Sequence, residues 1–94
     1  MCKIPELKGD WTLIAGATSV MGYEMARSLA ARGQNMVLVC HDEERLCQIA
    51  RELNEDSDII IMPVDLKKPG AYKLLHRECK RLQLKINAYF NFSR

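Results

Sequence analysis

The chain has 94 residues, 14 Lys and Arg against 12 Asp and Glu, and a formal net charge of +2, so it holds one small domain at most and makes no electrostatic case for a polyanionic partner. Cys2, Cys40, Cys47 and Cys79 form no Cys-x-x-Cys pair and follow no signal-peptide pattern, so a reduced, cytoplasmic protein is expected. No run approaches the roughly 18 apolar residues of a membrane span, so no span is expected.

Residues 1–10 form a polar lead with Pro5 and Gly9, expected to be irregular. Trp11 to Ala15 is a continuous apolar run, the pattern of a strand buried on both faces of a parallel sheet. Gly16 to Gly22 is a glycine and hydroxyl turn, and Met21 to Arg32 has the apolar spacing of a helix, with Gly33 as its left-handed stop. Asn35 to Cys40 is a second strand. Asp42 reads as the N-cap of a second helix, with Glu43 and Glu44 in its first turn and Leu46, Ile49, Ala50 and Leu53 on one face.

Asn54 to Asp58 is a polar connection. Ile59 to Val64 is a third strand, with Pro63 near its end, where a missing N–H does least harm. Asp65 to Gly70 is a turn, Ala71 to Leu82 a third helix, and Ile86 to Asn91 a fourth strand carrying Tyr89 and Phe90. The alternation β-α-β-α-β-α-β with right-handed crossovers predicts a doubly wound parallel sheet. The expected strand order is 3-2-1-4, with the glycine turn at the switch between strands one and four.

A strand, a glycine turn and a helix in that order make a phosphate site, because the helix start offers unpaired N–H groups and partial positive charge. The turn Ala15-Gly16-Ala17-Thr18-Ser19-Val20-Met21-Gly22 resembles that of the short-chain dehydrogenase/reductase family. The likeness continues through Ala26, Leu29, Ala30 and Gly33 into Val37-Leu38-Val39. Trp11 and the segment Asp42-Glu43-Glu44-Arg45-Leu46 are most similar to one branch. It holds 17β-hydroxysteroid dehydrogenases, very-long-chain 3-oxoacyl-CoA reductases and inactive dehydrogenase-like relatives. The resemblance implies a truncated Rossmann-like α/β fold, with residues 11–94 as a partial dinucleotide-binding domain. Members of that branch often carry an N-terminal membrane anchor, which ten residues ahead of Trp11 are too few to hold. Endoplasmic reticulum association is implied by the likeness alone.

The resemblance assigns Gly16, Thr18, Ser19, Met21 and Gly22 to the dinucleotide phosphates and ribose, Asp65 and Leu66 to the adenine, and Asn91 to the fourth strand end. Thr18 and Ser19 have a competing role in local turn bonding, and Asp65 in an Asx turn. The middle glycine of the family's turn is Val20 here, where a stiff β-branched side chain would weaken or abolish cofactor binding unless the loop shifts. Cys40 and His41 end the second strand, and neither is the acid that accepts from the NAD 2′-OH. NADP is therefore expected over NAD, with His41 at the position where NADP-using members have arginine. Histidine is a poorer phosphate partner, being mostly neutral at pH 7. The family's Asn-Asn-Ala-Gly at the fourth strand end keeps only its first residue, as Asn91-Phe92-Ser93-Arg94.

Catalysis in the family needs a tyrosine, a lysine four residues on and a serine, all beyond the fourth strand. Tyr23, Tyr72 and Tyr89 are followed four residues on by Arg27, His76 and Ser93, so no catalytic residue is expected. Cys40 and His41 are expected to point to opposite faces, as strand neighbours do, and so not to act together. No metal spacing is present. Lys67 to Lys85 is basic but lacks interleaved aromatics, so a solvated helix face is expected rather than a nucleic-acid site. The fourth strand would present a bare apolar edge, open to self-association or to pairing with a related chain. The sequence therefore supports three functions: a nucleotide-binding half that does not catalyse as written, a fragment of an active NADP-dependent oxidoreductase, or a non-enzymatic partner module.

Overall fold

The computed structural model describes residues 10–54 and 57–92. Within it β1 (Asp10–Ala15), α1 (Val20–Ala30), β2 (Asn35–Cys40), α2 (Glu43–Leu53), β3 (Ile59–Pro63), α3 (Ala71–Arg81) and β4 (Lys85–Asn91) follow one another. Residues 1–9 of the expected lead, part of the connection after Asn54, and Ser93 and Arg94 lie outside the described residues; Asp10, placed in the lead by the sequence, belongs to β1. The four strands form one parallel sheet in the order β3-β2-β1-β4, as the alternation predicts.

Register explains the burial. Trp11 stands opposite Asn35 and Ala15 opposite Val39, so β1 and β2 lie side by side along their whole length. Trp11 to Ala15 and Met36 to Cys40 are buried throughout, the property their unbroken apolar runs predict. One side of the sheet packs Ile14, Met36 and Leu38 against Ala26 and Ala30 of α1 and Leu46 and Ile49 of α2. The other packs Trp11, Leu13, Val37 and Val39 against Leu75 and Cys79 of α3. Each large apolar side chain withdrawn from water there contributes about 1.5–3 kcal/mol. The two layers place α1 and α2 on one face and α3 on the other, which makes the junction of β1 and β4 the point where the strand order reverses.

Element ends shift from the sequence reading by a residue or two. β1 begins at Asp10, whose carboxylate meets Lys85 Nζ at 3.5 Å and accepts from Asn87 Nδ2 at 3.2 Å. A bulge between Trp11 and Thr12 accommodates this, since Ile86 faces Trp11 but Ala88 faces Thr12. Gly33, at φ 72°, closes α1 as expected: its N–H donates to the Ala30 carbonyl at 2.9 Å, and that of Gln34 to Leu29 at 3.1 Å. Ser57, buried, ties the approach to β3 onto the same end through a 3.2 Å bond from its hydroxyl to the Ala30 carbonyl. Asp42 caps α2 by accepting the Arg45 N–H at 3.1 Å.

Candidate nucleotide site

The glycine turn hangs from the end of β2. Gly16 and Ala17 both donate their N–H groups to the Val39 carbonyl, at 2.9 and 3.2 Å. Gly16 takes φ 75°, a conformation open to glycine at no steric cost, and this turns the chain from β1 toward α1. Ser19 then does two things at once. Its hydroxyl donates to the Gly16 carbonyl at 2.7 Å and accepts the Gly22 N–H at 3.0 Å, so it is the N-cap of α1. The helix therefore starts at Val20, one residue before the sequence reading placed it.

Gly22 is buried against this turn. A Cβ there would collide with the Gly16 carbonyl and lie 3.0 Å from Ser19 Oγ. Val20 behaves differently: at the first helical position its side chain is 81% exposed and that of Met21 is 68% exposed. Valine thus fits the turn without displacing it. Among the described residues, the N–H groups of Val20 and Met21 meet no acceptor, as is usual in a helix's first turn.

Below the turn, at the carboxyl ends of β1, β2 and β3, lies a cavity of about 290 Å³. Of the residues singled out from the sequence, Gly16, Thr18, Ser19, His41, Asp65 and Leu66 line it. Met21 and Gly22 belong to the helix start beside it. Asn91 ends β4 opposite Ala15 and donates to the Tyr72 hydroxyl at 3.1 Å. On that side of the sheet burial pushes the Tyr89 phenol above its ordinary pKa of 10, with Tyr72 adding to the shift.

Five wall residues were not anticipated; beside the apolar Val39 and Val64, three make contacts of their own. Cys40 lies beneath Thr18, whose Oγ1 is 2.9 Å from its Sγ. The alternation expected to point Cys40 and His41 apart stops with β2 at Cys40; His41 is already in the turn, and its Nδ1 lies 3.9 Å from the sulfur. Phe92 is fixed by its N–H to the Ala15 carbonyl at 2.8 Å and stacks on Phe90, with ring centroids 6.5 Å apart. Its signal was the spacing of Phe90 and Phe92, two residues apart and so on one face. Lys67 is the third. Its N–H donates to Asp65 Oδ1 at 3.0 Å, so Asp65 makes the Asx turn that competed with its adenine role, while still bordering the cavity.

A strand-to-helix turn with free amides, set over a cavity at the strand ends, is the arrangement that holds a dinucleotide in open α/β sheets. The model of the short chain dehydrogenase family matches residues 10–91. The chain belongs to that family. Its similarity to 7beta-hydroxysteroid dehydrogenase of Clostridium sardiniense is 31% identity over 86 residues, which is 89% of this chain and 33% of that protein. Very-long-chain 3-oxoacyl-CoA reductase of Pyricularia oryzae is 46% identical over 46 residues, 49% of this chain and 14% of that one. The chain thus spans a third or less of these relatives' length.

Among solved structures, one from a study of 7beta-hydroxysteroid dehydrogenase stereoselectivity superposes with a TM-score of 0.78. Its identity is 30%, over 86% of this chain and 31% of that one. An NADH-dependent reductase A1-R′ complexed with NAD superposes at 0.72 with 27% identity, over 90% of this chain and 36% of that one. The family is one that binds nicotinamide dinucleotides. No helix among the described residues is long and apolar enough to cross a membrane, and none of their His, Cys, Asp and Glu side chains cluster as a metal site.

Proposed function

We propose that these residues are the nucleotide-binding part of an NADP-dependent reductase of lipid metabolism, acting on steroid or 3-oxoacyl-CoA carbonyls. The observation that carries it is the Ser19-capped start of α1, with the unpaired amides of Val20 and Met21 beside a cavity at the carboxyl ends of the strands. Those amides would hold the diphosphate. Asp65 and Leu66 would take the adenine, and His41, on the same wall, would stand beside the ribose in place of an acid, which favours NADP over NAD. Bound NADPH supplies hydride. The 94 residues contain no Tyr-x-x-x-Lys to deliver the matching proton, so by themselves they bind cofactor without turning it over. The reading puts the protein in the cytoplasm, with contact to the endoplasmic reticulum if it shares the 3-oxoacyl-CoA reductase branch.

Titration of the protein against NADPH, followed by cofactor fluorescence, tests this. Saturable binding, tighter than that of NADH, is expected, with no consumption of NADPH on adding a ketone. A linear response up to millimolar NADPH rejects cofactor binding. A second reading, a partner module that also self-associates, is favoured by one observation: among the described residues β4 pairs with β1 alone, and its Tyr89 is 47% exposed.

A further inference from the structure

A second cavity, of about 550 Å³, adjoins the first. His41, Val64 and Asp65 form the wall between them. It extends from that wall to Lys68 and the start of α3 at Gly70 and Ala71. We propose that Lys68 is the residue that reads an adenosine 2′-phosphate in this protein, a proposal that rests on the nucleotide-binding reading above.

The argument is one of charge and placement. If base and ribose fill the first cavity, a 2′-phosphate directed past His41 enters the second. The end of β2 puts no arginine or lysine on either wall: Cys40 and His41 are followed by Asp42, Glu43 and Glu44, and the next residue, Arg45, donates to Gln48 Oε1 at 3.2 Å and lines neither cavity. The lysines on the two walls come instead from the turn after β3, Lys67 in the first cavity and Lys68 in the second. Asp65 is the one carboxylate on either wall, and it is committed to the turn. Its Oδ1 accepts the Lys67 N–H at 3.0 Å, and its carbonyl accepts the Lys68 N–H at 3.1 Å. Asp42 is occupied with the Arg45 N–H. Among the described residues neither lysine ammonium has a carboxylate partner. Lys68 therefore starts from a pinned backbone, with a free ammonium, on the cavity beyond the ribose. A lysine there meets a phosphate as a point charge with three donors.

The probes are 2′,5′-ADP and 5′-AMP, which differ by the 2′-phosphate alone. Their dissociation constants are measured by calorimetry on the wild-type chain, on Lys68→Met, on His41→Gln and on Lys80→Met, the last an exposed charge at the far end of α3. Lys68→Met is expected to weaken 2′,5′-ADP about tenfold, within the range of a charge-assisted hydrogen bond, and to leave 5′-AMP within about twofold. Lys80→Met should change neither. An equal loss for both probes, an equal loss in Lys80→Met, or no loss in Lys68→Met overturns the assignment. So does a selective loss confined to His41→Gln, which returns the role to the end of β2. If wild type binds neither probe, the nucleotide-binding reading itself falls, and that result is distinct from the others.

Discussion

Val20 and Gly22 sit two residues apart in one turn, yet a side chain means opposite things at the two positions. At Gly22 a methyl group has no room, because the Gly16 carbonyl and Ser19 Oγ already fill the space. Gly22→Ala should cost about 1–3 kcal/mol, the range for overpacking, read as a lower urea midpoint. At Val20 the side chain stands in solvent, so any conflict arises with a ligand and not within the fold. Val20→Gly should lower stability by no more than about 1 kcal/mol, the helix cost of glycine, while tightening NADPH binding. Unchanged affinity in Val20→Gly would clear the valine of obstructing the cofactor. The glycine spacing made this turn legible from the sequence. The direction of the Val20 side chain was not, because spacing gives position along a helix start and not what lies opposite. Thr18 and Ser19 illustrate the same limit: their hydroxyls suited a ligand or a turn equally, and the structure engages both inside the protein.

At the scale of elements, two helices end in the same way and only one announces it. α1 leaves through Gly33, which the sequence marks plainly. α3 leaves through Gln83 at φ 56°, with its N–H donating to the Lys80 carbonyl at 3.0 Å and the Leu84 N–H to Cys79 at 3.0 Å. A glutamine carries a Cβ in a left-handed conformation, at a cost of roughly 1–2 kcal/mol. Nothing in the residue type signals that stop; it follows from Leu82 and Leu84 both packing into the layer under α3. Gln83→Gly should remove the steric cost while adding roughly 0.5–1 kcal/mol of backbone entropy to the unfolded chain. The net expectation is a gain of up to about 1 kcal/mol, which is a rise in Tm of at most about 4–8 °C for a domain of this size. A fall in Tm would mean that the glutamine side chain contributes contacts outweighing its strain. The apolar runs of β1 and β2 were legible for a simple reason: both lie inside the sheet, where no face needs polar residues.

Across the whole molecule, the outer strands depart from that rule. β4 alternates exposed and half-buried residues along its length, and β3 is only half-buried before Met62. Strand order was legible from the alternation of elements, but burial at the edges depends on what neighbours a strand, which a local pattern does not encode. Among the described residues β4 has one neighbour, β1, so from Ile86 to Phe90 its other side faces no strand. Beside that edge, on the α3 side, Tyr72 and Tyr89 are 49% and 47% exposed. An unpaired edge next to exposed aromatic surface is a template for another strand, and a second copy of this chain carries the same edge. Sedimentation velocity of the 94-residue chain should therefore show association that grows with concentration. Tyr89→Lys places a charge on the exposed part of the edge, where it should not disturb the core, and should shift the population toward monomer with the circular dichroism spectrum unchanged. Lysine is a natural guard of such edges because pairing would desolvate its ammonium. A wild-type chain that sediments as a monomer across the whole concentration range rules out β4 as a self-pairing edge. Association that persists in Tyr89→Lys moves the contact to another surface.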